Sequence, residues 1–155
     1  MKLQAIHAES VQAVRGQTIY PPPYDAVVKG RLKRKLGDLF GLTNFGVNLT
    51  ELAPGACSAL AHRHTRQDEF IYVLNGTLTL LLNGEALTLG AGDCYGFKAG
   101  DGIAHQLVNR SNAPASYLEI GDRLPGDAVE YPEDDLKATS VDGKWQLTHK
   151  DGRPY

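Results

Sequence analysis

Residues 62–82 read HRHTRQDEFIYVLNGTLTLLL. In this stretch one residue separates His62 from His64, and Glu69 opens a run of apolar residues. Side chains alternate between the two faces of a β-strand, so the two imidazoles project to the same side, about 6 to 7 Å apart along the backbone. This spacing allows both rings to bind one cation, and the apolar run predicts a strand that returns beside the first.

A second segment with the same character is His105-Gln-Leu-Val-Asn109. It places a third histidine on the strand face that also carries Leu107 and Asn109. Three neutral imidazoles and one carboxylate from three short strands suit a divalent transition metal. The predicted metal ligands are His62, His64, Glu69 and His105.

Two neighbouring carboxylates compete for the fourth position. Asp68 and Glu69 are both close to the histidine pair. Glu69 shares its strand parity with Ile71 and Val73, so it faces the interior if they do. We therefore expect Glu69 to be the ligand.

The composition is that of one ordinary globular domain. The chain has 155 residues, 42% of them hydrophobic, and its formal charge of −2 gives no electrostatic reason to expect nucleic acid as a partner. No apolar run approaches the roughly 18 residues that span a bilayer, so we expect no membrane partner and a cytoplasmic location. The two cysteines, Cys57 and Cys94, predict small buried core residues rather than a disulfide.

Two turn signals divide the middle of the chain. Asn75-Gly76 and Asn83-Gly84 each stand between apolar runs. Asn-Gly is typical of type I′ hairpins, in which both central residues have positive φ, so the pair predicts an antiparallel meander. About eight short strands with closely spaced turns and no convincing helix indicate an all-β closed barrel or jelly roll.

The flanking segments are predicted to be less regular. We expect residues 1–44 to form an N-terminal arm with edge strands, residues 45–120 the barrel, and residues 121–155 an irregular C-terminal extension of the same domain. One strand is expected around Trp145. A basic cluster in residues 27–36 is interpreted as a solvated edge strand or loop in preference to an anion site.

The spacing of the ligand residues resembles the two motifs of the cupin family. The first motif is matched by His62-x-His64, four residues, Glu69, six residues and Gly76. The second is approached by Gly92, Gly100, Gly102, His105 and Asn109, although Lys98 stands where proline is usual and two extra residues precede His105. The resemblance covers residues 45–120 and implies a double-stranded β-helix, or jelly-roll barrel.

The resemblance also implies one divalent metal ion held by the four predicted ligands. Imidazole binds zinc, iron, copper and nickel alike, and the carboxylate adds manganese, so the ion is expected to be Zn, Fe, Mn or Ni. Four protein ligands leave open positions for a substrate. Glu119 is a candidate catalytic base or supporting residue, with solvent exposure as the alternative. The candidate pocket residues, with core packing as their alternative, are Tyr72, Tyr95, Phe97 and Tyr117.

Several functions fit this expectation. The first is an enzyme acting on a small oxygen-rich molecule such as a sugar, keto acid or enolic compound, by isomerisation, cyclisation or dioxygenation. The second is a non-catalytic cupin that binds or senses a small molecule, and the third is a barrel in which the metal serves stability alone. The arm and the tail resemble segments that wrap a partner subunit in small cupins, which predicts a homodimer.

Overall fold

A computed structural model describes residues 4–155, so the first three residues of the predicted arm lie outside the described residues. Short 3₁₀ turns span Ala8–Ser10 and Tyr24–Val28, and helix α1 spans Leu36–Leu39. The strands are β1 (Val14–Arg15), β2 (Arg31–Lys35), β3 (Phe45–Leu52), β4 (Arg63–His64), β5 (Glu69–Asn75), β6 (Thr77–Leu82), β7 (Glu85–Gly90), β8 (Cys94–Phe97), β9 (His105–Val108), β10 (Ala115–Asp122), β11 (Ala128–Tyr131), β12 (Leu136–Val141) and β13 (Lys144–Thr148).

These strands form three antiparallel sheets. One sheet has six strands in the order β1-β2-β3-β10-β5-β8, a second has the order β7-β6-β9, and a third has the order β13-β12-β11-β4. The predicted all-β jelly roll is confirmed. Within residues 4–155 there is no helix with the length and apolar character needed to cross a bilayer.

The main core lies between the six-stranded and the three-stranded sheets. Along β5 the alternation predicted from the sequence is observed, with Ile71 and Val73 buried and Tyr72 and Leu74 exposed. The buried side chains come from both sheets: Leu52, Ile71, Val73, Leu78, Leu80, Leu89, Leu107, Ala115 and Tyr117. A second cluster, with Leu60, Val129, Tyr131, Leu136 and Ala138, packs the third sheet against Tyr20 and Tyr24 of the N-terminal segment.

The two Asn-Gly signals have different structural roles. Asn83 and Gly84 both have positive φ and join β6 to β7 in the predicted hairpin. Asn75-Gly76 forms no hairpin, because β5 and β6 belong to different sheets and the chain crosses between them here. Gly76 has φ 78°, and a Cβ atom added to it would lie 2.8 Å from Ala115 Cβ. The signal therefore marks a sheet corner that only glycine fits.

The residues after Gly121 are more regular than predicted. The strand around Trp145 is present as β13, but β11 and β12 precede it, so the prediction of an irregular extension is wrong. Along β12 the buried Leu136 and Ala138 alternate with exposed or half-exposed polar residues. Small and polar residues concealed this alternation, because a short strand rich in Ala, Thr and Ser carries a weak hydrophobic pattern.

The basic cluster and the cysteines also differ from expectation. Strand β2 is paired on both sides, with β1 and β3, and it buries Arg31 and half-buries Lys33. The solvated edge is therefore formed by β1. Cys57 is half-buried, whereas Cys94 is exposed because it lies on the outer face of the six-stranded sheet, opposite Tyr72 of β5.

Candidate metal centre

Three separate strand ends bring the predicted ligands together. His62 precedes β4 and forms an antiparallel bridge with His105 at the start of β9, with the two backbone hydrogen bonds at 3.1 and 2.8 Å. His64 ends β4 and pairs with Val129 of β11. Glu69 begins β5 and points to the inner face of the six-stranded sheet, as the parity argument predicted.

The four side chains meet around one carboxylate oxygen. Glu69 Oε2 lies 3.6 Å from His62 Nε2, 3.5 Å from His64 Nε2 and 2.9 Å from His105 Nε2. The donor atoms of His62, Glu69 and His105 all lie within 4.8 Å of one another. His64 is not part of this group of three, and its contact with the group is the 3.5 Å approach of Nε2 to Glu69 Oε2.

The environment of these atoms tests whether a metal ion fits. Glu69 Oε2 is enclosed by protein atoms and, despite its closeness to His105, accepts no hydrogen bond of acceptable geometry. A buried carboxylate oxygen without a hydrogen-bond donor is costly unless a cation satisfies it. The surrounding donors are imidazole nitrogens, which bind divalent transition metals. The residues present therefore fit such an ion.

Hydrogen bonds orient two of the rings. His62 Nδ1 lies 2.8 Å from the carbonyl oxygen of Leu60, which fixes Nδ1 as the protonated donor. His64 Nδ1 lies 2.5 Å from Asp127 Oδ2. In both rings Nε2 is left free toward the centre, which is the arrangement that positions metal-binding histidines. No group within residues 4–155 forms a hydrogen bond with His105 Nδ1, but the ring stacks on Phe97 with centroids 3.7 Å apart.

Asp127 was not predicted from the sequence. It is fully buried just before β11, and its Oδ1 accepts hydrogen bonds from the backbone N–H groups of Thr65, Arg66 and Gln67 at 3.1, 2.8 and 3.3 Å. It thus holds the loop between His64 and Glu69 as well as the His64 ring. No spacing signal marks this residue, because it lies in a polar stretch outside both motifs.

The charges of the centre favour an ionised carboxylate. Burial alone would raise the pKa of Glu69, but the closeness of the His105 and His62 imidazoles and the positive charge of His62 and His64 outweigh it and hold that pKa well below its ordinary value. Burial lowers the pKa of His105, which favours its neutral form. Burial also lowers the pKa of His62, but the closeness and negative charge of Glu69 outweigh it and leave that pKa raised.

Cavities adjoin this cluster, and two of them exceed 100 Å³. The larger, of about 380 Å³, is open to solvent and is lined by His62, His64, Glu69, Glu119, Lys33, Asn48, Tyr20, Tyr131, Trp145 and Arg123, among others. The smaller, of about 110 Å³, is lined by Arg31, Phe97, Tyr117 and several of the same polar residues. The larger volume is within the range of small-molecule sites.

Glu119 lies in both cavities, three-quarters buried, within a polar network. Its Oε1 forms an ion pair with Lys33 Nζ and accepts a hydrogen bond from Asn48 Nδ2 at 2.9 Å. The Tyr117 hydroxyl donates to Oε2 at 3.3 Å. Lys33 was missed because its basic neighbours suggested a solvated strand, yet strand alternation with the buried Arg31 could have indicated its inward direction.

Of the four aromatic residues predicted to line a pocket, two line a cavity and two do not. Phe97 and Tyr117 line the smaller cavity, and burial, followed by the charge of Glu119, raises the pKa of Tyr117 well above its ordinary value. Tyr95 packs against Phe97 at the edge of the core, with ring centroids 5.3 Å apart. Tyr72 does not reach the cavities, because it projects from the outer face of the sheet and is 41% exposed. The pocket prediction is wrong for that residue.

Comparison with known proteins gives both family and structural relatives. The Cupin domain family (Cupin_2) matches residues 48–121. A sugar phosphate isomerase of the cupin superfamily from Silicibacter pomeroyi is 39% identical, with a TM-score of 0.91 over 98% of this chain and 96% of that chain. The polyketide cyclase RemF from Streptomyces resistomycificus shares the fold, at 22% identity and a TM-score of 0.63 over 78% and 80% of the two chains.

A curated relative covers a smaller part of the chain. The tetracenomycin polyketide synthase protein TcmJ from Streptomyces glaucescens is 33% identical over 75 residues, which are 48% of each protein. The chain spans about half the length of the curated relatives it matches.

Proposed function

The chain belongs to the cupin superfamily, and on that premise we propose that it is a metal-dependent isomerase acting on a phosphorylated sugar. The observation that carries the proposal is the convergence of three imidazole nitrogens on Glu69 Oε2 beside an open cavity that holds a second carboxylate, Glu119. The similarity to the Silicibacter protein over nearly the whole of both chains supports the choice of substrate class.

The proposed metal ligands are His62, His64, Glu69 and His105. When bound, a divalent ion supplies Lewis-acid polarisation of a substrate carbonyl. The protein contributes the geometry: the Leu60 carbonyl and Asp127 set the ring orientations of His62 and His64. Phe97 covers the His105 ring and limits its rotation.

Glu119 is proposed as the group that moves a proton. Interconversion of an aldose and a ketose requires a base next to the carbonyl carbon, and a positioned carboxylate serves this role. The Lys33 ammonium and the Asn48 amide both contact Oε1, so Oε2 is the oxygen directed to the substrate. The Tyr117 hydroxyl, 3.3 Å from Oε2, is placed to exchange a hydrogen bond with it as the proton arrives.

The cavity lining supports a polar, anionic substrate. Arg123 lies at its rim, where its guanidinium is held by Asp38 at 2.5 Å and by the Leu42 carbonyl at 3.0 Å. We assign the phosphate to Arg123, because Asp38 and the Leu42 carbonyl occupy two of the five N–H donors of its guanidinium and leave others for an anion. Tyr20, Tyr131 and Trp145 also line the cavity, and their aromatic rings suit the carbon face of a sugar.

Competing proposals use the same centre. Cyclisation or dioxygenation of an enolic compound needs the same open metal position, and a non-catalytic cupin would bind the ligand without moving a proton. The internal Lys33–Glu119 ion pair favours catalysis, because a pure binding site has no need of a carboxylate held by a lysine beside the carbonyl position. The proposed location is the cytoplasm and the proposed assembly is a homodimer.

The test is proton exchange at the carbon next to the carbonyl. Protein reconstituted with Mn²⁺, Fe²⁺, Zn²⁺ or Ni²⁺ is incubated in D₂O with a panel of aldose and ketose phosphates, and ¹H NMR follows loss of the C2 or C1 proton signal and formation of the isomer. We expect exchange with at least one phosphorylated sugar and none with its unphosphorylated form. Ligand binding without exchange across the panel would favour the binding protein instead.

A further inference from the structure

Arg31 is a buried cation without a counter-charge. The residue is 9% exposed, and its guanidinium donates hydrogen bonds to the backbone carbonyl oxygens of Ser58 and Gln17, the latter at 2.7 Å. Within residues 4–155 this guanidinium forms no ion pair with a carboxylate. Carbonyl dipoles replace only part of the water that a buried charge loses, so an unpaired charge is costly. An anion from outside the chain would remove this cost.

The carboxylates nearest to Arg31 have other partners. Arg31 lines the smaller cavity, of about 110 Å³, together with Glu69 and Glu119. Lys33 already neutralises Glu119, and Glu69 Oε2 is directed to the three imidazoles. The positive charge of Arg31 is therefore available to a molecule that enters the cavity.

The guanidinium also has hydrogen-bond donors to spare. Arginine carries five N–H donors in a planar fork, and the two carbonyl contacts of Arg31 use two of them. A carboxylate can accept two parallel hydrogen bonds from such a fork. Arg31 shares its strand face with Lys33, so its side chain points to the inner side of the sheet, where the cavity lies.

The walls of the smaller cavity favour a carboxylate over a phosphate. Ile71 and Leu107, which are 4 and 3% exposed, line it beside the ring of Phe97. A phosphate monoester carries about −1.5 to −2 charges at neutral pH, and an enclosed apolar wall makes the removal of its water more costly than for a single charge. Arg123, whose side chain is 41% exposed, offers the phosphate a better hydrated place.

The two arginines lie in different cavities that share the candidate metal centre. Arg31 lines only the smaller cavity and Arg123 only the larger, whereas both cavities are lined by His62, Glu69 and Glu119. A molecule that occupies both cavities would place its middle carbons beside Glu119 and one end near each guanidinium. This arrangement suits a substrate with an anionic group at each end.

We propose that Arg31 binds a carboxylate of the substrate, which makes the substrate a phosphorylated sugar acid. The inference rests on the proposed function, because it takes the phosphate to lie at Arg123 and the reacting carbons to lie beside Glu119. The smaller cavity then selects between sugar phosphates by the group at the end remote from the phosphate.

Paired ligands that cannot isomerise test this selection. Gluconate 6-phosphate and glucitol 6-phosphate differ in a carboxylate against a hydroxymethyl group, and the ribonate and ribitol 5-phosphates give a shorter pair. Isothermal titration calorimetry measures the affinity of each ligand for the protein as purified. In at least one pair we expect the acid to bind about 10- to 100-fold more tightly, as hydrogen bonds to a charged group provide.

Two arginines of one strand give the matched variants. Arg31→Gln should bring the affinity ratio of acid to alcohol close to one, with metal content unchanged. Arg34 lies on the other face of β2, away from both cavities of the metal centre, so Arg34→Gln should keep the wild-type ratio. If circular dichroism shows that Arg31→Gln does not fold, Ala59→Leu replaces it, because Ala59 lines the smaller cavity and a larger side chain reduces its volume. That variant should also lower the ratio.

The outcomes separate this inference from the isomerase itself. Equal affinity within every pair, absence of binding included, overturns the carboxylate site. An acid preference that the Arg31 variant, or Ala59→Leu in its place, fully retains overturns it equally. Proton exchange on sugar phosphates without a carboxylate, combined with equal affinities, would keep the isomerase and reject the carboxylate site. An acid preference that depends on Arg31, without exchange on any phosphorylated acid, would keep the site and reject the isomerase.

Discussion

Asp127 Oδ2 lies 2.5 Å from His64 Nδ1, and this contact joins the C-terminal strands to the histidine cluster. The matched family region ends at residue 121, so the carboxylate that orients His64 comes from outside it. Strand β11 follows directly and pairs Val129 with His64. The C-terminal segment therefore shapes the candidate metal centre as well as covering the barrel.

The first prediction concerns this contact. Asp127→Asn keeps the size of the side chain but removes its charge and one acceptor, so His64 loses the partner that fixes its tautomer. We expect the affinity for a divalent transition metal to fall about 10- to 100-fold, the usual effect of removing such a partner. Competition with a chromophoric chelator measures the change.

A second His–Asp pair gives the control. His149 Nδ1 lies 2.8 Å from Asp135 Oδ2 on the exposed surface, away from the cluster. Asp135→Asn should leave metal affinity at the wild-type value. Equal losses in both variants would mean that the loss reflects a general change of charge, and the positioning role of Asp127 would be wrong.

The second prediction removes a ligand. His105→Ala deletes the imidazole nearest to Glu69 Oε2, at 2.9 Å. We expect metal affinity to fall more than about 100-fold, which is a larger loss than removal of a residue that only orients a ligand ring, such as Asp127, should cause. Circular dichroism should still report a folded β-protein. Elemental analysis after purification without chelators measures the content, with His149→Ala as the matched control. Wild-type metal content in the His105 variant would exclude this residue as a ligand.

Much of the candidate metal centre could be predicted from the sequence, because side chains alternate between the two faces of a strand. The single residue between His62 and His64 predicts that both rings project to one side, and the parity of Glu69 with Ile71 and Val73 predicts that it faces the interior. The structure places both rings within 4 Å of Glu69 Oε2. Asn83-Gly84 predicts its hairpin because the turn chemistry is local. Features that depend on distant partners were missed.

Gly76 and Lys33 show what local patterns leave out. Asn75-Gly76 has the same two residues as the hairpin turn at Asn83-Gly84. Whether the chain turns back or crosses to another sheet at this point depends on the contact with Ala115. Lys33 lies among other basic residues, and its inward direction follows once Arg31, two positions earlier on β2, is known to be buried. The position of Asp127 beside His64 depends on tertiary structure alone.

The third prediction concerns stability. An ion that binds the folded state and not the unfolded state stabilises the fold by about 2.7 kcal/mol at a concentration 100 times its dissociation constant. For a chain of this length, each kcal/mol raises the melting temperature by roughly 2 to 4 °C. We therefore expect differential scanning calorimetry to show a rise in melting temperature of about 5 to 11 °C when the transition metal that the centre binds is present at 100 times its dissociation constant. Mg²⁺, which prefers oxygen ligands, should produce little change.

The fourth prediction separates chemistry from binding. Glu119→Gln keeps the Asn48 and Tyr117 contacts possible but removes the proposed base, so proton exchange on the substrate should fall about 10²- to 10⁴-fold. Metal content should stay at the wild-type level. Glu130→Gln breaks another interstrand ion pair, that with Arg63 at 2.7 Å, and should leave exchange unchanged. Undiminished exchange in the Glu119 variant would reject this residue as the base.

The fifth prediction tests the sheet corner through two glycines with similar backbone angles. Gly76 has φ 78° and Gly84 has φ 89°, so alanine at either position carries the cost of a left-handed conformation, about 1 to 2 kcal/mol. No atom of the part of the chain that the structure describes lies within 4 Å of a Cβ atom added at Gly84, whereas one added at Gly76 would overlap Ala115. Overpacking of this kind costs about another 1 to 3 kcal/mol.

Urea denaturation should therefore show a larger loss of unfolding free energy for Gly76→Ala than for Gly84→Ala. The difference isolates the contact between the corner and β10, because the two variants share the same backbone penalty. A combined Gly76→Ala and Ala115→Gly variant should recover part of the difference, since it removes the overlapping methyl group. Equal losses in the two single variants would mean that the corner does not pack closely against Ala115.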